Sequence, residues 1–325
     1  MSIIKKTSVG LTGTARSASR QLIMFVAVFL LVASTACGQA APTATPTPLP
    51  TNTPVPTLPS QETTRTLQVG DLTRTYILHI PPGLDSTQAL PLVFVFHGIP
   101  QTSQDVQIMT GFNAVSDRNG FILVYPDGVD KDWNLAIPGW NTHVDDLTFL
   151  SQVIADLGSI ARVDPKRIYA TGYSGGAFLS YRLACEMSDT FAAIAPVEAT
   201  ILTDPCQPGQ PVAVLHVHGT NDQAVPYEGG SFSSAENGAL VKIIYPSIEQ
   251  TIAAWVKLDG CNSTAQVETL QEGSVTHTVY SGCQAGTAVE LYLIKPGGHL
   301  WPDVYGFSSI NSQTIWDFFK AHPKP

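Results

Sequence analysis

The chain has 325 residues, 44% of them hydrophobic and only 13% charged, which supports a large core and excludes disorder throughout. Four of its 17 basic residues and none of its 26 acidic residues fall in the first sixty positions, leaving 13 basic against 26 acidic residues beyond them, a net −13. That acidic balance, with no basic run, argues against nucleic acid or an anionic polymer as partner and fits a neutral substrate.

Lys5, Lys6, Arg16 and Arg20 precede the apolar run "LIMFVAVFLLVA". The run is too short to span a bilayer comfortably and suits the h-region of a signal peptide, so residues 1–36 read as an export leader. Cys37 follows in "STACGQA", which resembles the lipobox of a bacterial lipoprotein except that Ser34 stands where leucine is usual. Lipid anchoring on Cys37, at the outer face of a membrane, is one expectation; cleavage after Ala36 and release is the other. Residues 37–60 are dominated by "PTATPTPLPTNTPVPTLPS", a Pro/Thr repeat that favours extended polyproline II geometry and reads as a linker or O-glycosylated stalk. A single domain over 61–325 is the economical division.

From Thr64, "TRTLQVGDLTRTYILHIP" alternates on both sides of Gly70-Asp71 and predicts a β-hairpin. "LPLVFVFHG" and "FILVYPDG" are apolar on both faces, as strands covered by helices on both sides are, and the segment between them is helical in character. Leu147, Leu150, Ile154 and Leu157 mark the apolar face of a helix within Val144–Ala161. "RIYATG" reads as a strand and "GAFLSYRLACEMS" as a helix with Phe178, Tyr181 and Cys185 along one side. Two buried strands follow in "FAAIAPVEA" and "PVAVLHVHG", then a helix with Ile248, Ile252 and Trp255 aligned. A polar hairpin from Val267 to Tyr280, a strand in "AVELYLIKPGG" and a helix in "SQTIWDFFKAH" complete the chain. Strands alternating with helices predict an α/β fold, a mostly parallel central sheet with helices on both faces.

Functional groups in such sheets collect at the carboxyl ends of the strands. Gly172-Tyr173-Ser174-Gly175-Gly176 fits G-x-S-x-G, a pattern that arises by chance in roughly one chain in ten of this length. Its context is more specific, because a strand precedes it and a helix follows, as a nucleophile elbow requires. Serine needs a base and a group to orient that base. Asp222, in "HVHGTNDQAVPY" past a buried strand, is the candidate acid, and His299, in "KPGGHLWP", the candidate base. Asp145 and Asp146 precede Ser174 and sit at a helix start, where the helix dipole explains them. His216 and His218 read as neutral core histidines rather than a metal pair, and His97 as a loop-former. The oxyanion donors expected are the amides of Gly175 and Ile99. No metal and no cofactor is expected. Cys185, Cys206, Cys261 and Cys283 suit two disulfides outside the cytoplasm, with Cys185–Cys206 and Cys261–Cys283 the sequence-local pairing; C-x-x-C spacing for zinc is missing.

Taken together, "FVFHG", "VDDLTFL", "VDPKRIYATGYSGGAFLSYRLACE", "FAAIAPV", "HVHGTNDQAVPYEGG" and "GGHLWP" resemble the extracellular polyhydroxybutyrate depolymerase and feruloyl esterase family of α/β-hydrolases, over nearly all of residues 65–320. The resemblance implies Ser174, Asp222 and His299 as the triad and Trp301 as a wall of the substrate cleft; Trp140 is the second expected substrate-binding residue, since acyl preference should depend on the loops around Ile99, Trp140 and Trp301. Family members often carry asparagine or alanine at the position of Gly175, and a cysteine or Gly-rich continuation in place of "HGIPQTSQD", so the shape near the acyl group is the open point. The expectation is an exported, monomeric serine esterase acting on a neutral ester of plant polysaccharide or polyester through an acyl-enzyme. A serine peptidase of the same fold and a surface-anchored binding protein without catalysis are the alternatives.

Overall fold

Alternating and solid apolar runs sort the strands into edge and interior positions. The computed structural model of the protein describes residues 55–137, 140–236 and 239–325. The expected leader at residues 1–36, Cys37 and most of the Pro/Thr segment lie outside the described residues.

β1 (Gln61–Val69) and β2 (Leu72–Ile80) form the hairpin expected around Gly70-Asp71. β3 (Leu90–Phe96) is followed by α1 (Ser103–Thr110), α2 (Phe112–Asn119) and β4 (Ile122–Pro126). The helical stretch between β3 and β4 is thus two short helices, divided at Gly111. Next come α3 (Asp146–Leu157), β5 (Val163–Tyr173), α4 (Gly175–Glu186), β6 (Ala193–Val197) and β7 (Ala213–Gly219). A hairpin of β8 (Gly230–Glu236) and β9 (Ala239–Tyr245), which sequence reading leaves out, precedes α5 (Ile248–Leu258). β10 (Gln266–Leu270), β11 (Val275–Tyr280), β12 (Val289–Ile294) and α6 (Ser312–Ala321) end the chain.

One ten-stranded sheet runs in the order β1-β2-β4-β3-β5-β6-β7-β12-β11-β10. The six interior strands from β4 to β12 are parallel, and the antiparallel pairs β1-β2 and β11-β10 occupy the two edges. Side chains alternate across a strand, so β3 feeds two cores. Leu92, Phe94 and Phe96 pack with residues of α3, α4 and α5, among them Phe149, Phe178 and Trp255. Val93 and Val95 pack on the other face with Val106, Phe112 and Trp316 of α1, α2 and α6. Helices on both faces of a mostly parallel sheet make this an α/β-hydrolase fold, as expected.

Two local readings shift. The buried face of α3 runs through Phe149, Leu150, Val153 and Leu157, while Leu147 and Ile154 are only half-buried. At the amino-terminal side, Thr57 bridges to Asp85 and Leu58 is buried in the core, so the last Pro/Thr residues pack with the domain instead of belonging wholly to a linker ending at residue 60. Disulfides join Cys185 to Cys206 and Cys261 to Cys283, the sequence-local pairing. The first ties α4 to the loop after β6; the second ties the end of α5 to the loop after β11.

Candidate active site

Four parallel strands deliver the candidate residues to one edge of the sheet. β5 ends at Tyr173, and Ser174 stands between it and the first residue of α4 with φ 52° and ψ −114°, a conformation strained for a residue bearing a Cβ. The turn is tight because Gly172 and Gly176 meet backbone to backbone: a Cβ on Gly172 would lie 2.5 Å from the Gly176 carbonyl carbon, and one on Gly176 would lie 2.3 Å from the Phe96 oxygen. This is the sharp strand-to-helix turn of a nucleophile elbow.

Asp222 lies in the turn after β7, where Oδ1 accepts from the amides of Ala224 and Val225 at 2.7 and 2.9 Å. Its Oδ2 accepts from His299 Nδ1 at 2.7 Å, in the loop after β12. Asp222 is fully buried, whereas the His299 side chain keeps 21% of its surface exposed. Burial alone would raise the Asp222 pKa, but bonds from His299, Glu198 and the Val225 amide hold it down at about 2. The ionised carboxylate favours the tautomer with the proton on His299 Nδ1 and the lone pair on Nε2. Tyr173 brings the serine loop and the histidine loop together, its hydroxyl donating to the His299 carbonyl at 2.8 Å.

The two expected oxyanion donors lie on α4 and on the loop after β3. Gly175, as the first residue of α4, has an N–H without an intrahelical acceptor. Ile99 lies against it, its amide nitrogen 3.2 Å from the point that a Gly175 Cβ would occupy. The loop bearing Ile99 is anchored by His97, a buried side chain whose Nδ1 donates to the Gly98 carbonyl at 2.8 Å and whose Nε2 accepts from the Gly128 amide at 2.9 Å. Burial lowers the His97 pKa and keeps the ring neutral, as that bonding requires. Trp133 lies tilted against this ring, centroids 4.5 Å apart, and donates to the His97 carbonyl at 2.9 Å. Behind it, Asp146 is fully buried between Arg74, at 2.7 Å, and the Asn134 amide, at 2.7 Å; Asp145 is the N-cap of α3. The two acids that competed with Asp222 are therefore structural.

A crevice of about 190 Å³ opens at Ser174. Its walls include Ile99, Leu135, Trp140, Phe178, Leu202, Val225 and Ile243. Trp140 thus borders Ser174, but Trp301 does not. It is fully buried in the second core against Phe112, and its Nε1 donates to Asp303 and Ser312. The expected wall residue is a packing residue: the chain turns after His299 and carries the indole inward. A larger recess of about 620 Å³, lined by Ile201, Thr203, Pro246 and Lys257, meets this crevice only at Leu202.

His216 and His218 form a buried relay. His218 Nε2 lies 2.9 Å from the Val225 carbonyl, so it carries the proton; its Nδ1 accepts from His216 Nε2 at 3.3 Å, and His216 Nδ1 accepts from the Tyr181 hydroxyl at 2.7 Å. Both rings are held neutral by burial, His218 with a pKa lowered to about 4. All four ring nitrogens are engaged, in keeping with core histidines. Sequence reading missed Leu202, Val225 and Ile243, which are unremarkable apolar residues until the fold gathers them. It also missed Glu198, whose signal was an acid closing the apolar run "FAAIAPV".

Residues 74–207 match the family described as Esterase PHB depolymerase. The chain is 31% identical over 309 residues to the "Putative esterase NocK" of Nocardia uniformis subsp. tsuyamanensis, covering 85% of this chain and 88% of that protein. It is 29% identical to feruloyl esterase B of Piromyces equi, spanning 78% of this chain but 46% of that longer protein. Among solved structures, the acetyl xylan esterase from Aspergillus awamori superposes with a TM-score of 0.58 at 15% identity, covering 80% of this chain and 99% of that one, a likeness of fold. With the elbow, the parallel sheet and a relative matched along nearly its whole length, the chain belongs to the PHB depolymerase family of esterases.

Proposed function

We propose that the protein is an exported serine esterase in which Ser174 attacks the ester carbonyl, His299 is the base and Asp222 orients it. The observation that carries the reading is the 2.7 Å bond from His299 Nδ1 to the buried Asp222 carboxylate, formed beside a serine in a strained elbow. His299 Nε2 takes the Ser174 proton as the hydroxyl adds to the carbonyl carbon, and the Gly175 and Ile99 amides hold the oxyanion. Collapse expels the alcohol, which takes the proton from His299. Water then adds to the acyl-enzyme, with His299 again as base, and frees the acid and the serine. No step in this sequence calls on a metal or cofactor.

The crevice is small and largely apolar, which suits the acyl group of an ester while its alcohol stays outside. That arrangement, the acidic surface and the feruloyl and acetyl xylan esterases among the similar proteins favour acetyl or feruloyl esters of polysaccharides, with short hydroxyalkanoate esters next. Two disulfides and the apolar leader support export, and Cys37 is the residue to carry a lipid if the protein stays at the membrane.

The test is activity on a panel of feruloyl, acetyl-xylan and short hydroxyalkanoate esters, with peptide amides alongside and a fluorophosphonate probe on Ser174. Ester turnover with labelled Ser174 is expected. Faster cleavage of peptides would make the protein a peptidase, and an unlabelled, inactive Ser174 would make it a binding protein. Mass spectrometry of the exported protein separates an acylated Cys37 from a released chain.

A further inference from the structure

Glu198 is a fully buried acid that the reaction above does not use. It follows β6 directly, and its backbone sits at φ 58°, in the left-handed region that a side chain with a Cβ disfavours. The strained turn aims the carboxyl group at the turn that bears Asp222. Both of its oxygens face the Gly219 amide, at 3.0 and 3.1 Å, three residues before Asp222. A carboxyl oxygen of Glu198 also lies within 4.8 Å of an Asp222 carboxylate oxygen, with His218 in the same cluster.

The ionisable groups around Glu198 are Asp222, His218, His299, Tyr173 and Tyr305. None is a permanent cation. His218 Nδ1 is 3.6 Å from Glu198, but that nitrogen accepts from His216 and the ring is neutral. Two adjacent carboxyl groups in such surroundings share one proton. Asp222 receives three N–H bonds, from Ala224, Val225 and His299, which favour its anion. The bonding therefore favours the shared proton on Glu198, whose pKa burial and then the Asp222 charge raise well above the ordinary carboxylate value.

We infer that Glu198 is a positioning residue of the esterase: as a neutral acid it donates its O–H to the Asp222 carboxylate, and through Gly219 it holds the Asp222 turn in place against His299. The inference rests on the assignment of Asp222 and His299 given above. It makes the pair carry a single negative charge, delivered to His299 from one fixed direction.

The experiment compares wild type, Glu198→Gln and Glu198→Leu in kcat and KM on p-nitrophenyl acetate from about pH 5 to about pH 9. Glutamine keeps an N–H for Asp222 and an oxygen for Gly219 at the same net charge. Its kcat is expected within ~3-fold of wild type, with the midpoint of the acid limb unmoved. Leucine removes the donor, and its kcat is expected to fall ~10- to 100-fold with little change in KM. Infrared spectroscopy at neutral pH should find a protonated-carboxyl band in wild type that Glu198→Gln lacks. An acid limb shifted down by ~1 unit in Glu198→Gln overturns the inference, since wild-type Glu198 would then be an anion facing the base. Wild-type kcat in Glu198→Leu overturns it as well. If the leucine variant does not fold, the glutamine profile and the infrared band decide. An Asp222→Asn variant run in parallel separates the two failures: full activity there removes the triad assignment, whereas a dead Asp222→Asn beside an unaffected Glu198→Leu removes only the role of Glu198.

Discussion

Gly175 and Ile99 interlock beside Ser174: a Cβ on Gly175 would fall 2.5 Å from Ile99 Cγ1 and 2.7 Å from Cδ1. The side chain missing from Gly175 is not vacant room, because the Ile99 side chain fills it. A residue larger than glycine at 175 is therefore compatible with this site only if residue 99 shrinks. Gly175→Ala should lower kcat by ~10-fold or more by displacing an oxyanion donor, and the double variant Gly175→Ala, Ile99→Ala should recover most of the loss. Esterase kinetics on the three variants check this, and additive losses in the double variant would refute the interlock.

Ser174→Ala should abolish hydrolysis of p-nitrophenyl acetate with the circular dichroism spectrum unchanged. Asp222→Asn should leave the loop geometry in place but free His299 to adopt the wrong tautomer, at a cost of about four orders of magnitude in turnover. An unchanged rate in either variant would move the chemistry to other residues.

Trp140 and Trp301 should behave oppositely. Trp140 borders the crevice at Ser174, so Trp140→Ala should raise KM for bulky acyl groups with about 1 kcal/mol or less lost in stability. Trp301 is fully buried, and Trp301→Ala should cost ~3–5 kcal/mol. Urea unfolding beside a substrate panel distinguishes the two, and a stable Trp301→Ala with altered acyl preference would return it to the substrate wall.

The Cys185–Cys206 bond closes a segment with a sequence separation of 21 and ends four residues past Leu202 of the crevice. Replacing both cysteines by serine should lower stability by ~3 kcal/mol and raise KM as the Leu202 loop loosens. Thermal unfolding and KM measured on the same preparation test the link; a fall in stability with KM unchanged would uncouple the bond from the crevice.

Asp259 gives a pH-dependent test. It is fully buried, its Oδ1 accepts from the Val212 amide at 3.2 Å, and burial pushes its pKa up to about 6. In the unfolded chain the group titrates near 3.8. Between those values the folded protein holds the proton that the unfolded chain releases, so stability from this group is complete below ~3.8 and is lost as pH rises through ~6. Asp259→Asn removes that dependence. It should gain on wild type by ~1–3 kcal/mol at about pH 8 relative to about pH 4. Equal differences in unfolding free energy at the two pH values would show that the carboxyl group does not titrate in this way.

Much of the frame is legible in the chain itself. Solid apolar runs as short as "LPLVFVF", closed by a His-Gly turn, read as strands buried on both faces, and the turn after "RIYATG" needs glycine on either side of Ser174 whatever lies around it. The β8-β9 hairpin escaped because "GGSFSSAENGALVKIIY" carries a weak alternation that becomes a hairpin by pairing with itself outside the main sheet. Trp301 was misplaced because an indole two residues from a histidine reads the same whether it faces substrate or core.

The sequence by itself determined the α/β class, the elbow serine and the order in which Ser174, Asp222 and His299 arrive, because these follow from local periodicity and turn chemistry. Only the tertiary structure decided which tryptophan borders the crevice, that Ile99 fills the space beside Gly175, and that Glu198 reaches Asp222. Those relations depend on where loops from β3, β5, β6, β7 and β12 meet at one sheet edge. Contacts between segments far apart in the chain leave no periodicity to read, and they form only when the parallel strands bring their carboxyl ends together.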